Sequence, residues 1–381
     1  SLFDPETGMM EDLFASEGTD VTSIGFTPTG KAITVLYNDI DTKPKRHYLN
    51  KEWEQTIEGL KAAFDVDYVG IASMSEYAEK MIITIASDTI PGEYYLYDTI
   101  KNTVTYLGST RPWIDPKTMS PMQPVNFEAR DGETIYGFLT VPLDSDGKNL
   151  PLIVNPHGGP FGIQDRWGFN PETQYFANQG YAVMQINFRG SGGYGKRYEK
   201  IGYKRWGLEM QDDISDGVQW AINQGIADKD HVCIYGASYG GYATMAGITL
   251  TPELYSCAVN YVGIWDLEML YKQDGRWDDR LGRWFRNHVI DVKEDKEQLR
   301  KTSPSYHIDK IKAPLFIVHG RKDYNVRIEQ AETLMDALDE KDIPYEVMIK
   351  KEEGHGFVLE ENRIELYQKM GEFFRENLAK N

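Results

Sequence analysis

Five residues, Gly236-Ala237-Ser238-Tyr239-Gly240, constrain this chain more than any other feature. They follow an apolar run, Val232–Tyr235, and lead into a run of small residues, Gly241–Ile248. This is G-x-S-x-G between a strand and a helix. The turn is too sharp for bulky flanks, and it pushes the serine out at the edge of a sheet. A serine held that way is a candidate nucleophile, and the flanking pattern demands a buried strand backed by a helix.

The surrounding sequence supplies such strands and helices. Apolar strand candidates are Leu150–Asn155, Tyr181–Phe188, Val232–Tyr235, Ser256–Val262, Leu315–Val318 and Tyr345–Ile349. Several are continuous apolar runs, as strands buried on both faces should be. Helical periodicity appears over Glu209–Gln224, over Ile328–Glu340 and over about residues 361–379. Strand alternating with helix predicts a mostly parallel sheet covered on both faces.

The first part of the chain has a different texture. Ala32–Tyr37, Met81–Ala86 and Tyr94–Asp98 read as short strands punctuated by Pro28-Thr29-Gly30 and Pro91-Gly92. Residues 51–62 read as a charged helical interruption. Phe3-Asp4-Pro5-Glu6-Thr7-Gly8 and Tyr97-Asp98-Thr99 each suggest a strand, a tight turn and a second strand. Their separation is about two units of a propeller-like period. Arg111–Pro124, rich in proline, reads as a linker. The expected domains are therefore 1–119, an all-β segment, and 120–381, the α/β domain.

Charge excludes several roles. Lys and Arg total 41 against 59 Asp and Glu, a net charge of -18. Binding to nucleic acid or an anionic membrane needs a basic surface, so neither partner is expected. No apolar run of ~18 residues spans a bilayer. The two cysteines, Cys233 and Cys257, sit in apolar contexts and read as separate buried free thiols. Free thiols favour a reducing compartment, hence a soluble cytoplasmic protein over a periplasmic or secreted one. The start, Ser1-Leu2-Phe3-Asp4-Pro5, is neither an initiator Met nor a signal peptide. Upstream sequence, and any targeting signal in it, is expected to lie outside this chain.

A nucleophilic serine needs a base and a carboxylate to orient it, in the order Ser, Asp or Glu, His. His355, in Gly354-His355-Gly356 between a strand and the last helix, is the expected base. His319 ends an apolar strand and reads as packed; His288 and His307 read as solvated. Asp323 follows the same strand end as His319, where a carboxylate points into the crevice of a parallel sheet. The oxyanion hole is expected from the N–H groups of Tyr239 and of Gly159, in the loop His157-Gly158-Gly159-Pro160. His157 would orient that loop.

No cofactor or metal is expected. Gly190 to Lys196 falls one residue short of a phosphate loop, because Arg197 stands where a magnesium-binding hydroxyl belongs. The histidines are scattered, without zinc-binding spacing.

Together these runs resemble the prolyl oligopeptidase family of serine peptidases, nearest its acylaminoacyl-peptidase branch. The matching stretches are His157-Gly158-Gly159-Pro160, Asn187 to Gly195, Trp206 to Asp213, Gly236 to Tyr242, and His319 through Asp323. The resemblance implies an α/β-hydrolase domain preceded by a β-propeller, of which residues 1–119 could supply two or three blades. Their open faces would be covered by the hydrolase or by a second copy, so a homo-oligomer is left open. It further implies an apolar specificity pocket lined by Phe161, Tyr242, Trp265 and Val326. One departure stands out. The acylaminoacyl branch usually carries Asp-x-Arg-x-Pro where this chain has Asp323-Tyr324-Asn325-Val326-Arg327. That pattern is more similar to the dipeptidyl-peptidase IV branch, in which Asn325 would hold the substrate backbone. The expected substrates are short peptides, with a carboxylesterase on the same scaffold as the alternative, since fold does not set substrate.

Overall fold

The computed structural model describes residues 1–273 and 279–379. The chain divides into two compact units. The first holds Ser1–Pro124 with Arg166–Gln174 and Gly193–Gly195; the second holds Val125–Asp165, Tyr175–Gly192 and Lys196–Asn381.

The first unit is antiparallel throughout. β1 (Leu2–Phe3) pairs with β2 (Met10–Glu11), and β3 (Val21–Phe26), β4 (Ala32–Asn38) and β5 (Pro44–Tyr48) form a three-stranded sheet. α1 (Lys51–Phe64) precedes the meander β6 (Val69–Met74), β7 (Lys80–Ile85), β8 (Glu93–Asp98) and β9 (Thr103–Ser109). A four-stranded antiparallel sheet is the form of a propeller blade. Asn50 starts α1 by accepting the Glu52 and Trp53 N–H groups at 2.9 and 3.1 Å, which satisfies two otherwise unpaired donors. Ile57 and Leu60 of α1 are buried with Val69, Met81, Ile83, Ile85 and Tyr97 as that unit's core. The helix exists because its charged residues face water while these two face the sheet.

The second unit is built on an eight-stranded sheet. Its strands are β10 (Met122–Glu128), β11 (Thr134–Thr140), β12 (Leu150–Val154), β13 (Ala182–Asn187), β14 (Ala227–Ala237), β15 (Cys257–Tyr261), β16 (Leu315–Gly320) and β17 (Tyr345–Lys350). The order is β10-β11-β13-β12-β14-β15-β16-β17. β11 and β13 are antiparallel, and all pairs from β13 to β17 are parallel. Every residue of β13 and β16 is buried. Helices connect the strands: α2 (Pro171–Ala177), α3 (Gly195–Lys200), α4 (Glu209–Asn223), α5 (Tyr239–Leu250), α6 (Leu267–Gln273), α7 (Asp279–His288), α8 (Lys296–Thr302), α9 (Glu329–Asp339) and α10 (Glu360–Leu378). Phe176, Tyr235, Phe373 and Phe374 belong to the core cluster in which α10 packs on the sheet. The mostly parallel sheet expected from the strand–helix alternation is present, in the α/β-hydrolase arrangement that the family resemblance implied.

Two expectations change. The stretch expected as a linker ends in a strand, because β10 begins at Met122. β10 is the edge strand of the sheet, a place where a proline such as Pro124 is tolerated. The cysteines are not separate thiols. Cys233 and Cys257 are register partners on β14 and β15, their Cα atoms lie 4.6 Å apart, and they form a disulfide. Only the strand pairing brings them together, so sequence separation gave no hint of it. The argument for a reducing compartment falls with the free thiols. Among the described residues no helix is long and apolar enough to cross a membrane.

Candidate active site

Four loops leave one edge of the sheet. β12, β14, β16 and β17 share one direction. The segments just past their carboxyl ends gather where open α/β sheets bind ligands. They carry His157-Gly158-Gly159-Pro160, Ser238, Asp323 and His355 respectively.

Ser238 stands in the strained elbow. Its backbone takes φ 60° and ψ −118°, a region a side chain rarely adopts. The flanking glycines explain how the turn closes. A Cβ on Gly236 would meet the Gly240 carbonyl carbon at 2.5 Å, and one on Gly240 would meet the Pro156 oxygen at 2.2 Å. The His157–Pro160 loop lies close by: a Cβ on Gly158 would be 3.5 Å from the Ser238 Cβ. Tyr239 opens α5, so its N–H has no acceptor within its own helix. Gly159, at φ +118°, is exposed on the loop.

Asp323 and His355 are joined. Nδ1 of His355 lies 2.8 Å from Oδ2 of Asp323, whose side chain is fully buried. The other carboxylate oxygen accepts the N–H groups of Asn325 and Val326 at 2.8 and 2.9 Å. A carboxylate pinned this way holds the imidazole in one orientation. With Nδ1–H donating to the acid, Nε2 is left as the basic nitrogen. His319 is packed, as expected from its strand: it is buried, and its Nε2–H donates to the Val326 carbonyl at 2.8 Å. Burial pushes its imidazole below the usual range.

Two residues that sequence reasoning passed over tie these parts together. Tyr261, last in β15, accepts the Ser238 N–H at its carbonyl, 3.0 Å away, and the Phe357 N–H at its hydroxyl. One residue therefore fixes both the serine elbow and the loop bearing His355. Glu353 is wholly buried and accepts the N–H groups of Val358 and Leu359 at 2.9 and 3.0 Å and the Asn362 amide at 2.8 Å. It clamps both ends of the His355 loop to the start of α10. Tyr261→Phe keeps the ring beside Phe357 but removes the acceptor. We expect kcat to fall about tenfold with KM nearly unchanged, the scale of one lost hydrogen bond in a positioned loop. Steady-state kinetics on a peptide anilide check this; unchanged kcat would mean the hydroxyl does not position His355.

His157 turns inward. Its Nδ1 faces the Gly158 carbonyl at 2.7 Å, its Nε2 lies 2.8 Å from Ser191 Oγ, and its ring stacks on Phe188. Burial pushes its imidazole down to about 4. The unfolded chain protonates this histidine near the ordinary value, so between the two values the unfolded state binds more protons and stability rises with pH. The contribution is complete above about pH 6.5 and is lost as pH falls toward 4. The residue keeps some exposed surface, so about 1–2 kcal/mol is expected rather than the full ~3. Denaturant titrations of the wild type and His157→Gln at pH 7.5 and 4.5 check the sign. The wild type should lose more stability on acidification than the variant, and equal losses would contradict it.

The residues expected to line a specificity pocket differ in setting. Tyr242, Trp265 and Val326 are almost wholly buried. The Tyr242 hydroxyl donates to the Thr302 carbonyl at 2.8 Å, and the Trp265 indole N–H donates to Thr333 Oγ1 at 3.0 Å. Phe161 is half-buried in an aromatic cluster with Tyr203, Trp284 and His288. His288 is thus not simply solvated: its ring stacks on Trp284 and meets Tyr203 edge-on. Helix packing brings these rings together from three separate segments. Asn325 is exposed, and its side-chain amide has no hydrogen-bond partner within the described chain. Arg197 pairs with Glu133.

The sequence profile described as the prolyl oligopeptidase family matches residues 167–381. The chain is 34% identical to dipeptidyl aminopeptidase BIII of Pseudoxanthomonas mexicana over 330 residues, covering 83% of this chain and 48% of that protein. It is 30% identical to dipeptidyl peptidase family member 6 of Caenorhabditis elegans over 401 residues, covering 97% of this chain and 53% of that one. Among solved structures it resembles the acylaminoacyl peptidase of Pyrococcus horikoshii. There the TM-score is 0.69 at 28% identity, covering 80% of this chain and 49% of that chain. The chain spans about half the length of these relatives.

Proposed function

The chain belongs to the prolyl oligopeptidase family, and from that premise we propose that it is a serine peptidase cleaving short peptides through an acyl-enzyme. The observation that carries this reading is the buried Asp323–His355 pair on the same sheet edge as the elbow serine, with Tyr261 bonded to both loops. In this reading Ser238 Oγ attacks the scissile carbonyl and passes its proton to His355 Nε2. The oxygen that gains the negative charge is held by the Tyr239 and Gly159 N–H groups. The C–N bond then breaks, and the leaving amine takes the proton from His355. Water, deprotonated by the same imidazole, splits the acyl-enzyme and restores the serine.

Phe161 and its aromatic neighbours offer an apolar wall for the side chain before the scissile bond, and Tyr242, Trp265 and Val326 would line the same pocket. The relatives' names divide between dipeptidyl and acylaminoacyl substrates. Asn325 favours a peptide whose backbone carbonyl two residues before the scissile bond accepts the free amide. An amide donates to a carbonyl without charge, so its loss should cost about 1–2 kcal/mol.

Asn325→Ala is therefore expected to lower kcat/KM about five- to thirtyfold for a dipeptidyl or acyl-aminoacyl anilide. A simple p-nitrophenyl ester, which has no carbonyl there, should be unaffected. Equal losses on both substrates would reject the assignment. Wild-type turnover of the ester alone, with no anilide cleaved, would reject the peptidase reading in favour of a carboxylesterase.

A further inference from the structure

The first unit contains a cavity of about 270 Å³ that none of the catalytic residues lines. Its walls are aromatic and cationic: Tyr37, Tyr48, Tyr68 and Trp167 stand around Lys43, Lys45, Arg46 and Lys61. Four cations on one cavity are unexpected in a chain of net charge -18.

The cations are not equivalent. Lys45 is paired with Asp39 at 3.2 Å, and Lys61 with Glu58 at 2.9 Å. Lys43 and Arg46 form no ion pair among the described residues. The Lys43 ammonium lies over the Trp167 ring, 5.3 Å from its centroid. Trp167 is itself held, its backbone N–H donating to Thr42 Oγ1 at 3.0 Å and its indole N–H to the Met122 carbonyl at 3.2 Å. The Arg46 guanidinium stacks over Tyr68 at 5.1 Å and donates to the Val69 carbonyl at 3.0 Å, a neutral partner. The Arg46 charge is thus held by an aromatic face and a main-chain carbonyl, the Lys43 charge by an aromatic face, and neither has an ion-pair partner among the described residues, although Glu58 lies within electrostatic reach of Arg46.

We propose that this cavity binds the free carboxylate of a peptide, with Lys43 and Arg46 meeting the anion and the aromatic walls holding the side chain beside it. A planar guanidinium matches a carboxylate in geometry. Glu58 and Asp67 also line the cavity. They would repel a phosphate dianion more than a carboxylate, which carries a single charge. The carboxylate could be a C-terminus or an acidic side chain; both present the same group.

The test uses the intact enzyme and N-acetyl-L-tyrosine, with N-acetyl-L-tyrosinamide as the uncharged counterpart and N-acetyl-L-glutamate α-amide as the side-chain acid. Titration calorimetry or ligand-observed NMR reads the affinity. N-acetyl-L-tyrosine should bind saturably, the amide at least about tenfold more weakly, and affinity should fall with added salt. Comparison with the glutamate derivative tells which source of carboxylate is preferred; binding by neither acid overturns the proposal. Lys43→Gln and Arg46→Gln should each weaken the acid about five- to tenfold. Arg46→Gln also loses the Val69 contact, so Lys43→Gln is the decisive variant, and Lys43→Arg should restore binding. Blocking Ser238 with a fluorophosphonate should leave the affinity unchanged. Affinity for the amide equal to that for the better of the two acids, an unaffected Lys43→Gln, or binding lost on blocking Ser238 would each overturn the proposal. Failure of the fluorophosphonate to label Ser238 would instead count against the catalytic reading.

Discussion

Ser238→Ala should lower kcat by about 10⁴–10⁶-fold while the protein stays folded. The serine is half-buried at the tip of the elbow, and its Oγ makes no hydrogen bond within the described chain. Removing that oxygen therefore leaves no large void and no orphaned partner, and stability should stay within about 0.5 kcal/mol. The strained backbone at φ 60° is set by the close approach of Gly236 and Gly240 and by the Ser238 N–H bond to Tyr261. Alanine keeps all of these. What disappears is the proposed nucleophile, which would leave only binding and the proposed oxyanion stabilisation. Turnover of a peptide anilide and a thermal melt measure the two halves of the expectation. A fluorophosphonate should label the wild type at Ser238 alone. An active alanine variant, or labelling at another residue, would sink the assignment.

Asp323→Asn should cost about 10⁴-fold in kcat with little change in KM. The side chain is buried, and its two oxygens have different duties. Oδ1 accepts the Asn325 and Val326 N–H groups, and an asparagine carbonyl can keep both bonds. The other position, 2.8 Å from His355 Nδ1, would then carry an NH₂ group. That group donates, so Nδ1 must become the acceptor and the proton moves to Nε2. A protonated Nε2 cannot take the serine's proton. The geometry survives and the tautomer is wrong, so the loss falls on chemistry rather than binding. A loss below about tenfold would place the orienting acid elsewhere.

The same chemistry explains why a candidate site could be proposed from the sequence. Gly236 is forced by its approach to Gly240 and Gly240 by its approach to Pro156, and both flank Ser238 within five consecutive residues, so a short window carries the signal. The Asp323 and His355 positions follow from chain order, because a parallel sheet presents the ends of successive strands on one edge. Tyr261 and Glu353 carry no such mark. Tyr261 is a strand residue like many others, and it matters because its carbonyl and hydroxyl reach two different loops. Glu353 looks like one acid in a charged stretch, and only the fold buries it against the start of α10.

The cysteines and His288 separate the two kinds of information further. Local pattern marked Cys233 and Cys257 as buried, since apolar neighbours alone determine that. Whether they meet depends on β14 and β15 lying side by side in a register that aligns them. His288 reads as polar along the chain and is drawn into an aromatic cluster from other segments. By itself the sequence determined strand and helix periodicity, the elbow, the candidate residues and the family resemblance, because each rests on spacing within one segment or on strand order. Only the tertiary structure decided the disulfide, the double anchoring by Tyr261, the clamp of Glu353 and the cationic cavity. Those depend on residues far apart in the chain meeting at distances of a few ångströms, which backbone pairing and packing set and local spacing does not record.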